Sequence, residues 1–255
     1  MNTRAFVVVC TLVMFGVHDV KAQASAALGV DVGYGRSLYS TSMPAGGVGT
    51  STFPDTQGPT YVPVSVASQI RWGDTAGVHW LLSGALGLQV SSMNTSTPMD
   101  SLPTIDPTNG SIKYVPVEAQ LAMARRSGLL RVGIGAEVSG FGVQVLGRMS
   151  YVYAAETTHL ITTDRPFFNE GWPTTEVLDN GRTIIVDRIP TAGHHQLLFD
   201  VGVAMSYSMF ADLATLPMVF TLQPYLLLPL TTVHVGYTTT ERFNYGCSLF
   251  VGVRL

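Results

Sequence analysis

His194 and His195 stand next to each other at the end of a long polar stretch, Asp164 to His195, that also carries Glu170, Asp179 and Asp187. A histidine beside a carboxylate can act as a general base, and the same residue types can ligate a divalent metal. Nothing completes either site. The chain has no Gly-x-Ser-x-Gly elbow and no His-Glu-x-x-His helix. Adjacent residues on a strand also point to opposite faces, so one site cannot use both histidines. The expectation is therefore a protein without a catalytic centre, metal site or cofactor, and a hydrolase at a barrel rim ranks last among the readings.

A second charged set is spaced differently. Asp31, Arg71, Glu118, Arg131, Glu137, Arg148, Asp200 and Arg254 each lie in a segment whose apolar residues occupy every second position, and each falls on the other parity. If the apolar parity faces lipid, these eight share a narrow lumen. Their signs are mixed. Such a set can fill the interior with compensating ion pairs, or form the gate or selectivity ring of a narrow pore. The first reading is preferred, because a small barrel has room for little besides side chains.

The elements that must position these residues read as strands of unusual length. Ala27 to Tyr39, Val62 to Trp72, Gly77 to Ser91, Tyr114 to Arg125, Leu129 to Ser139, Val143 to Tyr153, Gln196 to Met209 and Phe243 to Leu255 alternate over roughly 11 to 15 residues. Strands of soluble proteins usually run about five or six, whereas a tilted strand needs about 9 to 11 to cross a bilayer. Met218 to Leu228 is interrupted by Pro224, and Thr157 to Thr163 is the weakest candidate. Together they predict an all-β, closed, antiparallel up-and-down transmembrane barrel of about ten strands, or eight if two weak candidates fail.

The connections alternate in length. Gly73 to Ala76, Arg126 to Gly128, Ala154 to Glu156 and Phe210 to Pro217 are short; Ser40 to Pro59, Ser92 to Ile112, Asp164 to His195 and Pro229 to Arg242 are long and mostly polar. Short periplasmic turns and long outer loops are the asymmetry of outer-membrane barrels. Gly140-Phe141-Gly142 breaks the alternation as a tight turn on the side assigned to the long loops.

Composition and targeting agree. Charged residues make up 12% of the chain, against an average of about 25%, and mean hydropathy is +0.29. No stretch beyond residue 24 is apolar for long enough to be a membrane helix. Residues 1–22 read as a signal peptide: Arg4, an apolar run from Ala5 to Val17, and a cut preferred after Ala22 over Ala24. A mature chain cut there keeps Cys247 alone and forms no internal disulfide. The net charge of -3 gives no support for nucleic-acid binding.

A short repeat, Tyr61-Val62-Pro63-Val64 and Tyr114-Val115-Pro116-Val117, opens two strands after long connections. With the signal peptide, the Tyr-x-Pro strand opening at Tyr114 to Pro116, the Gly-rich run Val132-Gly133-Ile134-Gly135-Ala136 and the terminal segment Gly246 to Leu255, the chain resembles the small outer-membrane β-barrel families of Bacteroidota-type bacteria, of which the PorT-like group is one. The resemblance implies architecture and a bacterial outer-membrane location, with lipid and the barrel-assembly machinery as partners. Tyr34, Trp72, Trp80, Tyr151, Tyr207 and Tyr245 fall on the lipid parity, where interfacial aromatic belts are expected. Phe167, Phe168 and Trp172 pack the longest loop over the barrel mouth or contact a surface or periplasmic protein partner. The competing reading is a soluble, secreted all-β binding protein.

Overall fold

The computed structural model describes residues 24–42, 52–53, 59–73, 77–105, 109–164, 166, 176–190, 196–213, 216–231, 234–235 and 237–255. Eight long strands build the wall: β1 (Ser25–Ser42), β2 (Thr60–Gly73), β3 (Val78–Ile105), β4 (Ile112–Val138), β5 (Phe141–Thr163), β6 (Gln196–Leu213), β7 (Leu216–Pro229) and β8 (Tyr237–Arg254). Each pairs antiparallel with the next, and β8 pairs back onto β1, which closes the barrel. A small hairpin, Glu176–Leu178 and Thr183–Pro190, adds to the free side of the last turns of β5.

The register fixes the size of the barrel. Stepping across the wall from Ala27 through Gln69, Ser83, Gly133, Leu146, Gly202, Leu227 and Asn244 returns to β1 at Ser37, ten residues from the start. With a rise of about 3.3 Å and a strand spacing of about 4.8 Å, this stagger tilts the strands by about 40° and sets a radius of about 8 Å. Such a lumen is filled by side chains.

The wall closes at eight strands, the lower of the two expected counts, and it does so by merging candidates and not by losing weak ones. Tyr114 to Arg125 and Leu129 to Ser139 are one strand, β4, and Val143 to Tyr153 and Thr157 to Thr163 are one strand, β5. Arg126 to Gly128 and Ala154 to Glu156 are not turns. They face each other inside the wall at a bulge, where Arg126 pairs with Ala154 but Ser127 pairs with Val152, leaving Tyr153 as the extra residue. Most of the expected loop Ser92 to Ile112 is also strand. With these mergers, the connections at 74–77, 139–140 and 214–215 share one end with Ser25 and Arg254, so the turn at Gly140 no longer breaks the alternation.

Polarity inverts partway along three strands. In the lower half of β3, Trp80, Leu86, Leu88 and Val90 point outward and are exposed, while Gln89 and Ser91 are buried inside. Past Ser92 the outward residue Asn94 is polar and inward Met93 is apolar. β4 crosses from inward Val117, Ala119, Leu121 and Met123 to outward Leu130, Val132 and Ile134. β5 makes the same exchange at its bulge, with Tyr151 outward below it, Tyr153 outward at the bulge itself and Glu156 outward above it. Below this line the wall is built for an apolar surrounding, and above it for water. From Trp80 to Val90 the outward band spans ten residue steps. At the tilt given above this is roughly 25 Å, the height of a transmembrane barrel's apolar band.

Beyond Ser92 no strand pairs with β3 on the side away from β4, among the described residues. Thr60 Oγ1 donates to the Ser92 carbonyl at 3.4 Å, so even-numbered positions direct their backbone groups to that free side. Pro98 belongs to this set, and its missing N–H falls where no ladder bond exists. Proline in that place is tolerated and discourages pairing with another chain.

The turn between β4 and β5 carries Ser139 at φ 50° and Gly140 at φ 85°, the two left-handed positions of a type I′ hairpin. A Cβ on Gly140 would also lie 2.6 Å from the Ser208 carbonyl oxygen. Gly140→Ala is expected to cost at least about 1–2 kcal/mol, read from the urea midpoint of the folded barrel, whereas Ser139→Gly should leave it unchanged or raise it.

Candidate functional site

Six of the eight expected charged residues meet inside the barrel as three ion pairs. Arg71 Nε lies 3.3 Å from Glu137 Oε1, across the lumen from β2 to β4. Its Nη2 donates to Gln69 Oε1 at 2.9 Å and to Ser208 Oγ at 2.8 Å. Ser208 in turn donates to Glu137 at 3.0 Å, and Thr221 donates to Gln69 at 3.1 Å. The Phe210 ring stands 5.2 Å from the Arg71 guanidinium and covers it from the short-turn end.

The other two pairs share an electrostatic problem. Arg131 and Arg148 are direct cross-strand partners, so two like charges stand side by side. Each turns to its own carboxylate. Arg131 pairs with Asp31, which reaches from β1 on the far side, and Ser248 hydrogen-bonds both. Arg148 Nε donates to Asp200, its neighbour on β6, at 2.5 Å, and its guanidinium lies 5.2 Å from the Tyr61 ring. All six side chains are buried. Each charge out of water is thus matched by an opposite charge and hydrogen bonds, as a buried ion requires.

The remaining two lie elsewhere. Glu118 is half-buried on the outer face of the β4 extension, in line with Gln120 and Ala122. The reason is the inversion: at this height the inward parity belongs to Val117 and Ala119, so the carboxylate points away. Arg254 keeps the inward parity but is exposed at the short-turn mouth, not inside the lumen. Arg125 was not among the expected set. It is buried, faces inward and donates to Ser91 Oγ at 3.2 Å. The adjacency Arg125-Arg126 is its only trace in the sequence, since one of two neighbouring strand residues must face the interior.

The outward aromatics gather near the two edges of the apolar band. Trp72 pairs with Trp80 across β2 and β3, and Phe141 stacks on Tyr207 with ring centroids 4.5 Å apart, at the short-turn edge. Tyr34, Tyr151 and Tyr245 stand toward the loop end. The repeated Tyr-Val-Pro-Val segments are not equivalent in space: Tyr61 is buried in the lumen and Tyr114 is exposed on the extension.

Above the lumen, the inner face of the extension forms an apolar cluster of Met93, Ala119, Leu121, Met123, Val152 and Leu198. His194, His195, Glu170, Phe167, Phe168 and Trp172 lie outside the described residues, as does the segment 1–22. Asp179 sits in a tight turn with left-handed backbone and accepts from Thr183 Oγ1 at 3.2 Å. Among the described residues, no three His, Cys, Asp or Glu side chains stand close enough to hold a metal ion.

No family model matches the chain, the PorT-like group included, and no curated protein matches it. Among solved structures, it is similar to Ail, the attachment invasion locus protein of Yersinia pestis, at 8% identity and a TM-score of 0.29, covering 90% of this chain and 99% of that one. Ail in complex with the heparin analogue sucrose octasulfate gives 9% identity and 0.27 over the same shares. A Pseudomonas aeruginosa FadL homologue gives 7% and 0.18, covering 90% and 89%. Scores of this size establish neither shared ancestry nor shared activity.

Proposed function

We propose that this chain is a bacterial outer-membrane barrel whose lumen is closed to ions and whose wall carries a water-exposed sheet on its loop end. The observation that supports this reading is the polarity inversion along β3, β4 and β5. A soluble protein has no reason to expose a closed ring of Leu, Val, Ile and aromatic side chains around a charged, filled interior. The lipid-facing height matches a bilayer, and the three ion pairs occupy the space that a conducting pore would need.

On this reading the barrel is an anchor, and the extension of β3, β4 and β5 is the surface offered to a partner. The signal segment routes the chain to export, and lipid and the barrel-assembly machinery are its obligatory contacts. Outer-membrane fractionation with heat-modifiable gel migration tests the location: a soluble, heat-insensitive protein in the periplasm would end the proposal. In planar bilayers the purified barrel is expected to give no unitary conductance above background, and regular openings would overturn the closed lumen.

A further inference from the structure

Several buried side chains keep one polar atom that finds no hydrogen-bond partner among the described residues, and three of them share one sector of the lumen: Gln144 Nε2, Ser206 Oγ and Gln223 Nε2. Their residues are 1%, 3% and 4% exposed. They stand on the adjacent strands β5, β6 and β7. Gly142 pairs with Ser206, and the flanking pairs Ser208 with Thr221 and Ala204 with Tyr225 set Gln223 opposite Ser206. Gln144 is the next inward residue on β5 after Gly142. The three therefore form one row around a third of the wall.

What borders the row differs on its two sides. Toward the short turns lie Ser208 and Thr221, bonded into the Arg71 and Glu137 cluster. That cluster lines a cavity of about 560 Å³ whose rim carries Ser139 and Arg254. Toward the loop end, the next inward residues on the same three strands are Leu146, Ala204 and Tyr225. They pack with Tyr61 and Leu227 into an apolar cluster.

We propose that the row of Gln144, Ser206 and Gln223 binds water, as the blind end of a hydrated shaft. The shaft enters at the short-turn mouth, passes Arg71, Glu137 and Ser208, and stops beneath the apolar cluster of Leu146, Ala204 and Tyr225. Buried polar groups are satisfied by protein or by ordered water, and three such atoms gathered in one row call for a common partner. Two amide nitrogens and a hydroxyl supply the two to four partners that a buried water needs. Ser206 stands beside Glu137: a Cβ placed on Gly142 would touch Ser206 Oγ at 2.5 Å and Glu137 Cβ at 3.4 Å. The Glu137 carboxylate, which accepts from Ser208 two residues along the same strand, favours neutral water over an anion.

The proposal rests on the closed-lumen reading but is measured separately from it. In the folded full-length barrel in micelles, the side-chain amide protons of Gln144 and Gln223 are expected to show NMR cross-peaks to water, assigned by their loss in Gln144→Met and Gln223→Met. The Leu146 and Ala204 methyl groups should show none. Silent amides in an intact fold would sink the hydrated row, and water contacts at Ala204 equal to those at Gln223 would remove its blind end. Ser206→Ala supplies a second reading: a lower temperature of the heat-modifiable transition fits lost water bonds, whereas a higher one means that the hydroxyl was dry. Conductance traces decide the pore question independently.

Discussion

Ile134→Arg is expected to destabilise the bilayer-embedded barrel by about 2–4 kcal/mol, whereas Gln120→Arg on the same strand should shift it by no more than about 0.5 kcal/mol. Both positions face outward on β4, and both side chains leave the lumen untouched. What differs is the surrounding medium. Ile134 is flanked on the wall by Leu82 and Val145 inside the apolar band, so a guanidinium there must be drawn into hydrocarbon or deform the bilayer around itself. Gln120 lies above the inversion among residues already suited to water. Urea titrations in lipid vesicles measure the pair. Equal, small effects would mean that no lipid surrounds the band, and the membrane reading would fall with them.

The second large effect concerns the side-by-side arginines. Asp31→Leu is expected to cost about 3–5 kcal/mol, because it leaves Arg131 buried, next to Arg148 and without its carboxylate. Adding Arg131→Leu should recover most of that loss, since an apolar pair of similar volume dispenses with both desolvation penalties. The comparison separates two accounts of the lumen. If the double variant is as unstable as the single one, the pair contributes through specific hydrogen bonding with Ser248 and not through charge balance. Urea midpoints of the single variants, the double variant and the parent chain give the coupling directly.

How far the sequence reveals this architecture depends on which side of the inversion a residue lies. In β1, β2, β6, β7 and β8, one apolar parity runs the length of the span, and alternation alone identifies the strand, its lipid face and the inward Asp31, Arg71 and Asp200. In β4 the apolar parity changes from odd to even near Arg125 while the chain continues straight. A change of parity in a sequence has two physical causes, a turn or a change of surrounding medium, and periodicity alone cannot separate them. Ser127-Gly128 favoured the turn. The same ambiguity misplaced Glu118, hid Arg125 and added two strands to the count. The unpartnered row is illegible for another reason: Gln144, Ser206 and Gln223 are ordinary inward polar residues until the register brings them to one level.

The seam between β1 and β8 has a consequence for biogenesis. Ala27 pairs with Arg254, so the first strand of the wall is completed only by the last. Long-range closure of this kind is slow, and until it occurs the chain has two raw edges able to pair with anything extended. No part of the wall can therefore mature before the last strand is in place. Loss of even the final strand leaves an open sheet for chaperones and proteases to remove, not a smaller barrel.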